Sequence, residues 1–386
     1  MISAKDFDPK GIYVGRVWRP DLGPALVRLE GGGVVDITSR ACPTMHDLLE
    51  GDHPAETARA AKGEVICGLD DLVASSLAAA QTGDANALRL LAPPDLQAIK
   101  ASGVTFAESM VERVIEEQAA GSADLADGIR ARVKAVIGDS LSGIKPGSDA
   151  AMKVKTVLQD EGLWSQYLEV GIGPDAEVFT KSQPMGSVGY GALVGLHPMS
   201  SWNNPEPEIV LAINSKGAIV GATLGNDVNL RDVEGRSALL LGKAKDNNAS
   251  CSIGPFLRLF DDSFSLDDIR TAELSMRVEG TDGFVLEGHS SMTKISRDPA
   301  DIVAQTIGRH HQYPDGFFLF LGTMFAPVKD RDAAGQGFTH HGDDVVTITE
   351  ARLGSLQNTV RLSTECPEWC FGTAALMRNL AQRGLI

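Results

Sequence analysis

Between residues 177 and 260, short β-rich runs alternate with turns that contain Gly, Asn and Asp. Later, "DIVAQTIGRHH" and "FGTAALMRNLAQRG" have the spacing of single helices, whereas "GFFLFLGTMFAP" and "DDVVTITEARLGSLQNTVRLS" are typical of strands. Because strands and helices do not alternate regularly, a doubly wound parallel sheet is excluded. The sequence therefore predicts an α+β fold that is rich in strands.

The chain divides into two predicted domains. Residues 10–37 alternate apolar and polar side chains between Gly-rich turns, which predicts a small antiparallel system, and residues 45–90 have helical spacing. The pair Pro93-Pro94 marks a boundary, because proline disfavours helix in the preceding residue. We therefore expect a small N-terminal β/α domain at 1–93 and a catalytic domain at 94–386.

A helical insertion is expected in the second domain at about 106–170. Its segments "ESMVERVIEEQ" and "ADGIRARVKAVIGDSL" have apolar residues three and four apart with charges between them. We interpret those charges as a solvated helix face. By its position the first segment is also a candidate lid over the active site.

The 386-residue chain is acidic, with 51 Asp and Glu against 35 Lys and Arg and a formal net charge of −16. This charge repels phosphate backbones and anionic lipid, so neither nucleic acid nor a membrane is expected as a partner. A small anionic substrate would need a local positive centre. The N-terminus has no apolar leader and no stretch approaches a membrane span, so we expect a cytoplasmic protein.

Two acids begin the run "PEPEIVLAI", residues 205–213. In a strand Glu206 and Glu208 point to the same face, where their charges repel unless a cation lies between them. The alternative is a solvated strand end. Nineteen residues after Glu208, Asp227 follows a Gly-Asn pair, and a strand, a turn and a returning strand would bring it back. Three such carboxylates suit Mg²⁺ or Mn²⁺.

An ordered set of motifs extends this pattern: "PEPEIVLAI", "GNDVNLRD", "GKAKDNNASCSIGP", "GTMFAP" and "GDDVVTITEARLGSLQN". Together they resemble the fumarylacetoacetate hydrolase family over roughly residues 100 to 360. The resemblance implies a mixed β-sandwich roll, a divalent metal held by Glu206, Glu208 and Asp227, and a 2-oxo acid or 1,3-diketone chelated to that metal. It also implies a homo-oligomer, either a homodimer or a tetramer built from dimers.

The same resemblance assigns further residues. Lys245 matches the family's active-site lysine, with Lys243 as the competing choice, and a bound cation would lower the pKa of that lysine. Thr323 matches a threonine that hydrogen-bonds the substrate carboxylate. Arg231 matches an arginine that touches substrate in some members, although a structural bridge to a neighbouring aspartate is an alternative for it.

One stretch departs from the hydrolytic members of the family. These members have Asn, Tyr and His where "GVTFAESM" has Thr105, Phe106 and Ser109. A serine cannot take a proton from water at neutral pH, so the missing histidine argues against hydrolysis of a C–C bond. Phe106 and Ser109 remain candidates for substrate binding by position.

A branch that lacks the histidine fits better: the 2-keto-3-deoxy sugar-acid dehydratases. "PDAEVFTK" is similar to a motif of this branch, which makes Glu177 a proton-transfer group near the metal and Lys181 a substrate-binding candidate. Glu177 as an exposed strand acid is the alternative. We expect Glu177 and Lys245 to be catalytic, with their division into acid and base open.

The expected activity is therefore Mg²⁺-dependent dehydration of a 2-oxo sugar acid. The first alternative is another reaction of the family: acylpyruvate hydrolysis, or decarboxylation or tautomerisation of oxaloacetate. The second is an inactive 2-oxo-acid-binding protein, which would need neither Glu177 nor Lys245.

The chain also has two histidine pairs, His310-His311 and His340-His341. Adjacent residues point in different directions, so a doublet is a poor chelate. We interpret both pairs as structural or surface residues, with His340 or His341 in a loop over the site as the alternative.

Overall fold

The computed structural model describes residues 1–386 apart from 121, 123–124, 126–127, 130–143, 161, 163, 324, 326, 328 and 334–335. In the described residues, sixteen strands form two sheets. The strands before residue 95 are β1 Tyr13–Arg19, β2 Gly23–Glu30, β3 Gly33–Asp36, β4 Glu64–Gly68 and β5 Arg89–Leu91. The central strands are β6 Ala98–Gly103, β7 Glu177–Ser182, β8 Leu193–Leu196, β9 Pro207–Ile213, β10 Ile219–Asp227 and β11 Cys251–Leu259. The last strands are β12 Glu273–Glu279, β13 Val285–Ser291, β14 Phe317–Phe320, β15 Val345–Glu350 and β16 Gly354–Leu362.

The larger sheet has the order β4-β3-β2-β1-β11-β10-β9-β14-β6-β7, and β5 also pairs with β1. The smaller sheet has the order β13-β12-β15-β16-β8. Most neighbours are antiparallel, but β14 runs parallel to β6 and β16 parallel to β8. The prediction of a strand-rich fold with mixed sheets is confirmed.

One sheet continues across the predicted boundary at residue 93. Strand β1 pairs with β11, with Tyr13 opposite Arg258 and Val14 opposite Leu257. The N-terminal strands therefore extend the sheet that carries the three acids. The division at residue 93 stays a prediction.

The helices connect strands along the whole chain, and the last helix follows β16. Before residue 95 they are α1 Met45–Leu49, α2 Pro54–Ala60 and α3 Leu69–Thr82. The helix α3 ends at Gly83, whose φ of 70° is the left-handed conformation that glycine adopts without strain. Within the predicted insertion they are α4 Ala107–Gln118, α5 Asp149–Asp160 and α6 Gln166–Ile172; most of "ADGIRARVKAVIGDSL" falls outside the described residues. The later helices are α7 Arg231–Glu234, α8 Leu241–Lys245, α9 Leu266–Arg270, α10 Pro299–Thr306 and α11 Thr373–Gln382.

The core of the larger sheet is packed closely around β9, β10 and β14. Every residue of β9 and of β14 is buried. A side chain at Gly225 in β10 would overlap Phe320 and Val210, so only glycine fits between these strands. This close packing fixes the position of the adjacent Asp227.

Among the described residues, none of the helices combines the length and the apolar character needed to cross a membrane.

Candidate metal centre

The three predicted acids come together where β9 begins and β10 ends. Gly225 lies opposite Glu208, and the amide of Asp227 donates to the carbonyl of Glu206 at 3.0 Å. A carboxylate oxygen from each of the three lies within 4.8 Å of the others, and each of the three residues is at most 2% exposed. The predicted return of Asp227 beside the glutamates is therefore present in the fold.

The electrostatics of the cluster suit a divalent cation. Burial raises the pKa of Glu208 well above its usual range, and the negative charges of Asp227 and Glu206 raise it further. The amide of Gly322 donates to Glu208 Oε2 at 2.7 Å. Oxygen ligands that are close together, buried and mutually repelling are the donor set that Mg²⁺ and Mn²⁺ take. The residues present therefore fit such an ion.

Lys245, rather than Lys243, reaches the acids. Its Nζ lies 2.5 Å from Glu206 Oε2 and 3.0 Å from Asp227 Oδ2, whereas Lys243 is exposed. Burial alone would lower the pKa of Lys245, but Asp227, Glu206 and Glu234 outweigh it and raise the pKa. The lowering expected from the sequence therefore depends on the charge of a bound cation.

Lys181 contacts Asp227 and is completely buried. Its Nζ is 2.8 Å from Asp227 Oδ1 and donates to the carbonyls of Val228 at 3.0 Å and Lys245 at 2.5 Å. Burial raises the pKa of Asp227, but Lys181 and Lys245 outweigh burial and lower it. These contacts make Lys181 a positioning group for Asp227, while its predicted substrate contact stays a prediction.

Arg113 and Glu234 belong to the cluster and were missed in the sequence. Arg113 Nη2 pairs with Glu206, and Nη1 lies 3.0 Å from Glu234 Oε2. Arg113 and its neighbour Glu112 are both 7% exposed, so the prediction that the charges of this helix are solvated is wrong for these two. The sequence signal for Arg113 is its place between Met110 and Val114, which are fully buried.

Glu177 begins β7 opposite Gly103, and a side chain at that glycine would overlap its carboxylate. Burial raises the pKa of Glu177 to about 7, the charge of Glu234 adds to the rise, and Lys245 and Arg113 oppose it. Glu177 is half-buried and interacts electrostatically with these charged groups, so we place it beside the cluster. The alternative of an exposed strand acid is not what the structure shows.

Three further residues were predicted to bind substrate. Thr323 follows Gly322 and donates its hydroxyl to the carbonyl of Phe325 at 2.9 Å. Phe106 is buried and precedes α4, and Ser109 lies in the first turn of that helix with its side chain outside the described residues. Substrate contacts by Thr323, Phe106 and Ser109 stay predictions.

Arg231 is 2% exposed and packs between α4 and the loop after β14. Its Nη2 lies 3.8 Å from Glu112 Oε2, Nη1 donates to the carbonyl of Pro327 at 3.1 Å, and the guanidinium lies 5.0 Å from the ring of Trp202. These contacts join structural elements around the cluster. A substrate contact by Arg231 stays a prediction.

The histidine pairs lie outside the acid cluster. His340 is buried with Nδ1 2.9 Å from Asp344 Oδ2, and His341 Nε2 is 3.0 Å from Asp332 Oδ1. His310 and His311 are exposed. The structural or surface interpretation agrees with these positions.

Comparison with known proteins identifies the domain around the cluster. Residues 207–361 match the family model described as fumarylacetoacetate (FAA) hydrolase C-terminal. This range includes Glu208, Asp227, Lys245 and Thr323. Glu206 directly precedes it.

Two curated relatives are similar to part of the chain. One is a "Probable 2-keto-3-deoxyxylonate dehydratase" from Haloferax volcanii, 32% identical over 202 residues, which cover 52% of this chain and 66% of the relative. The other is a "2-dehydro-3-deoxy-D-arabinonate dehydratase" from Saccharolobus solfataricus, 29% identical over 188 residues, which cover 48% and 58%. The chain thus spans somewhat less than two thirds of each relative that it matches.

Solved structures share the fold over most of the chain. A 2-keto-3-deoxy-D-arabinonate dehydratase complexed with magnesium and 2,5-dioxopentanoate has a TM-score of 0.62 at 19% identity and covers 91% of this chain and 99% of its own. A 5-carboxymethyl-2-hydroxymuconate delta-isomerase from Mycobacterium smegmatis has a TM-score of 0.51 at 19% identity and covers 90% and 98%. Residues 207–361 thus match the C-terminal domain of the fumarylacetoacetate hydrolase family, and the chain shares the fold of these solved structures.

Proposed function

We propose that this chain is a Mg²⁺-dependent hydro-lyase of oxidative pentose catabolism, which converts 2-keto-3-deoxy-D-xylonate to 2,5-dioxopentanoate. The observation that carries the proposal is the buried cluster of three acids with Glu177 and Lys245 beside it. The names of both curated relatives and the ligands of the magnesium-bound neighbour support the substrate class. Mn²⁺ is the alternative ion.

The metal would be held by Glu206, Glu208 and Asp227. A bound Mg²⁺ would polarise the ketone of a chelated 2-oxo acid, stabilise the negative charge that develops on its oxygen, and supply the positive centre for an anionic substrate. Lys181 holds Asp227 in place through their buried ion pair. Arg113 does the same for Glu206 from the side of α4.

The proton transfers fall to the two groups beside the acids. Loss of a proton from C3 and of the hydroxyl from C4 releases one water and leaves a double bond between C3 and C4. Transfer of a proton from C5 to C3 then gives an enol between C4 and C5, and this enol tautomerises to the aldehyde when C4 gains a proton and the C5 hydroxyl loses one. Glu177 and Lys245 supply the base and the acid for these steps, because both lie within the cluster and both carry an exchangeable proton. Hydrolysis is not proposed, since Ser109 stands where the hydrolytic members have their histidine.

The experiment offers purified protein 2-keto-3-deoxy-D-xylonate, its C4 epimer and an acylpyruvate, each with and without Mg²⁺. A coupled NAD(P)-dependent aldehyde dehydrogenase reports the product. We expect an aldehyde product from 2-keto-3-deoxy-D-xylonate with Mg²⁺ and none from the acylpyruvate. A chelator should abolish the activity. Cleavage of the acylpyruvate, or activity that survives the chelator, would contradict the proposal.

We also propose a homodimer, or a tetramer built from dimers, located in the cytoplasm. The oligomer is supported by the family resemblance and is tested by sedimentation velocity. The location stays a prediction from the sequence and is tested by cell fractionation.

A further inference from the structure

A cavity of about 260 Å³ lies between α3, β5 and residues 367–371. Its described lining includes none of the predicted site residues. We call it the Arg16 cavity, after a buried residue in its wall. It is slightly smaller than typical pockets for drug-sized ligands, so it suits a smaller molecule.

The wall of the Arg16 cavity is mainly aromatic and aliphatic. Trp18, Leu90, Tyr190 and Phe371 all line it. The rings of Trp18 and Phe371 pack edge to face with centroids 5.1 Å apart. Such a surface favours a flat apolar group with π electrons.

Two buried polar groups in this wall lack partners. Arg16 is 5% exposed; its Nη1 donates to the carbonyls of Ala92 at 3.2 Å and Pro94 at 2.7 Å, but its Nη2 is buried without a hydrogen-bond partner. The hydroxyl of Ser187 is likewise buried without one. A buried donor left unpaired costs about 1–3 kcal/mol, so an acceptor in the cavity would be stabilising.

The charge of Arg16 is only partly neutralised. The nearest acid, Asp95, lies 3.6 Å from Nε. Its carboxylate already accepts the amides of Met45 at 2.7 Å, His46 at 3.1 Å and Leu96 at 2.7 Å. The acids that line the cavity, Asp84 and Glu368, are exposed and therefore solvated. An anionic acceptor is consequently favoured at Arg16 over a neutral one.

We propose that the Arg16 cavity is a binding site for a small aromatic carboxylate. The carboxylate accepts from Arg16 Nη2 and from the Ser187 hydroxyl, and the ring packs among Trp18, Tyr190 and Phe371. This site is separate from the metal centre, and the inference does not depend on the proposed reaction.

Phenylacetate is the probe, titrated into the full-length protein and followed by saturation-transfer NMR and by the fluorescence of Trp18 and Trp369, both of which line the cavity. We expect a dissociation constant of about 1 mM or tighter, as befits a ligand of this size. Benzyl alcohol has a similar ring without the charge and should bind at least about tenfold more weakly. Equal binding of both would overturn the role of Arg16 without requiring a variant of that buried residue.

Two variants of one helix locate the site. Ala80 lines the cavity on α3, and Ala80→Phe should fill it and weaken phenylacetate binding at least about tenfold. Ala78 is exposed on the same helix, so Ala78→Phe is the matched control and should stay within about twofold. No binding by the wild type, which would mean that water alone occupies the cavity, or equal binding by both variants, would overturn the proposal.

Discussion

The molecule has two buried acidic sites with opposite surroundings: Asp344, and the cluster of Glu206, Glu208 and Asp227. Asp344 is completely buried, yet it receives Arg331 Nη1 at 2.6 Å and Nη2 at 2.8 Å, the amide of His341 at 3.0 Å, and His340 Nδ1 at 2.9 Å. Burial raises the pKa of Asp344, but the hydrogen bonds from His340 and Arg331 outweigh it and lower the pKa to about 2. Asp344 is thus satisfied by the protein itself.

In Glu208 the interactions that raise the pKa outweigh those that lower it, the opposite of Asp344. Burial and two neighbouring carboxylates raise its pKa above the usual range, although the charge of Lys245 and the amide of Gly322 oppose them. An acid that the protein satisfies is a structural element, whereas Glu208, which its neighbours repel, belongs to a site that suits a cation. The four predictions below test this difference.

Of the changes considered, Glu177→Gln should have the largest effect: it should lower the turnover rate without weakening Mg²⁺ binding. Loss of a positioned proton-transfer group typically costs about 10²- to 10⁴-fold in rate. Mg²⁺ binding, measured by calorimetry, should survive because Glu177 is not one of the three proposed ligands. Glu273→Gln is a matched control on the exposed face of β12 and should retain full turnover. Near-normal turnover of Glu177→Gln would remove Glu177 from the mechanism.

Asp344→Asn should act on stability. The change removes the buried anionic partner of Arg331, whose side chain is 2% exposed, and leaves it paired with Asp282, whose side chain is 42% exposed. We expect the free energy of unfolding to fall by about 3–5 kcal/mol in urea titrations. Asp332→Asn removes an exposed acid nearby and should cost less than about 1 kcal/mol. Similar losses for the two variants would show that Asp344 is no more structural than a surface acid.

Binding of Mg²⁺ at the cluster of Glu206, Glu208 and Asp227 should stabilise the folded protein. At a free concentration about 100 times the dissociation constant, the free energy of unfolding should rise by about 2.7 kcal/mol. Asp227→Asn removes one of the three carboxylates and should abolish this rise, with sodium chloride of equal ionic strength as the control. An equal response of wild type and variant would place the bound ion elsewhere.

The pH dependence of stability should carry the signature of Asp344. Its pKa is lowered from 3.8 to about 2 in the folded protein, so its contribution is fully present above pH 3.8 and is lost as the pH falls through 2. The loss amounts to about 2 kcal/mol. Wild type should therefore lose more stability than Asp344→Asn between pH 5 and pH 2, and parallel curves would contradict the lowered pKa.

Much of the metal centre could be predicted because its acids lie near one another along the chain. Glu206 and Glu208 share a face through the two-residue repeat of a strand, and one hairpin returns Asp227. The choice of Lys245 over Lys243 came from the family motif rather than from any local pattern. The strand-rich α+β fold followed from the alternation of short runs and turns, whereas the mixed β-sandwich roll was implied by the family resemblance.

Arg113 could not be predicted by the same reasoning. Helical periodicity shows which side of α4 is apolar, but not that a charge at the edge of that side meets Glu206 from a strand far along the chain. The burial of Lys181 and the Arg16 cavity could not be predicted for the same reason, because both depend on how distant segments pack. Sequence patterns report local geometry, and these features arise only when elements dock.

The pairing of β1 with β11 has a consequence for how the chain is made. A nascent chain presents Tyr13 on the ribosome on the order of tens of seconds before Arg258 is synthesised, at about 5–20 residues per second. During that interval the strand has one open edge, and the sheet cannot close until its distant neighbour emerges. Synthesis of this protein should therefore depend on chaperones that shield unpaired strands.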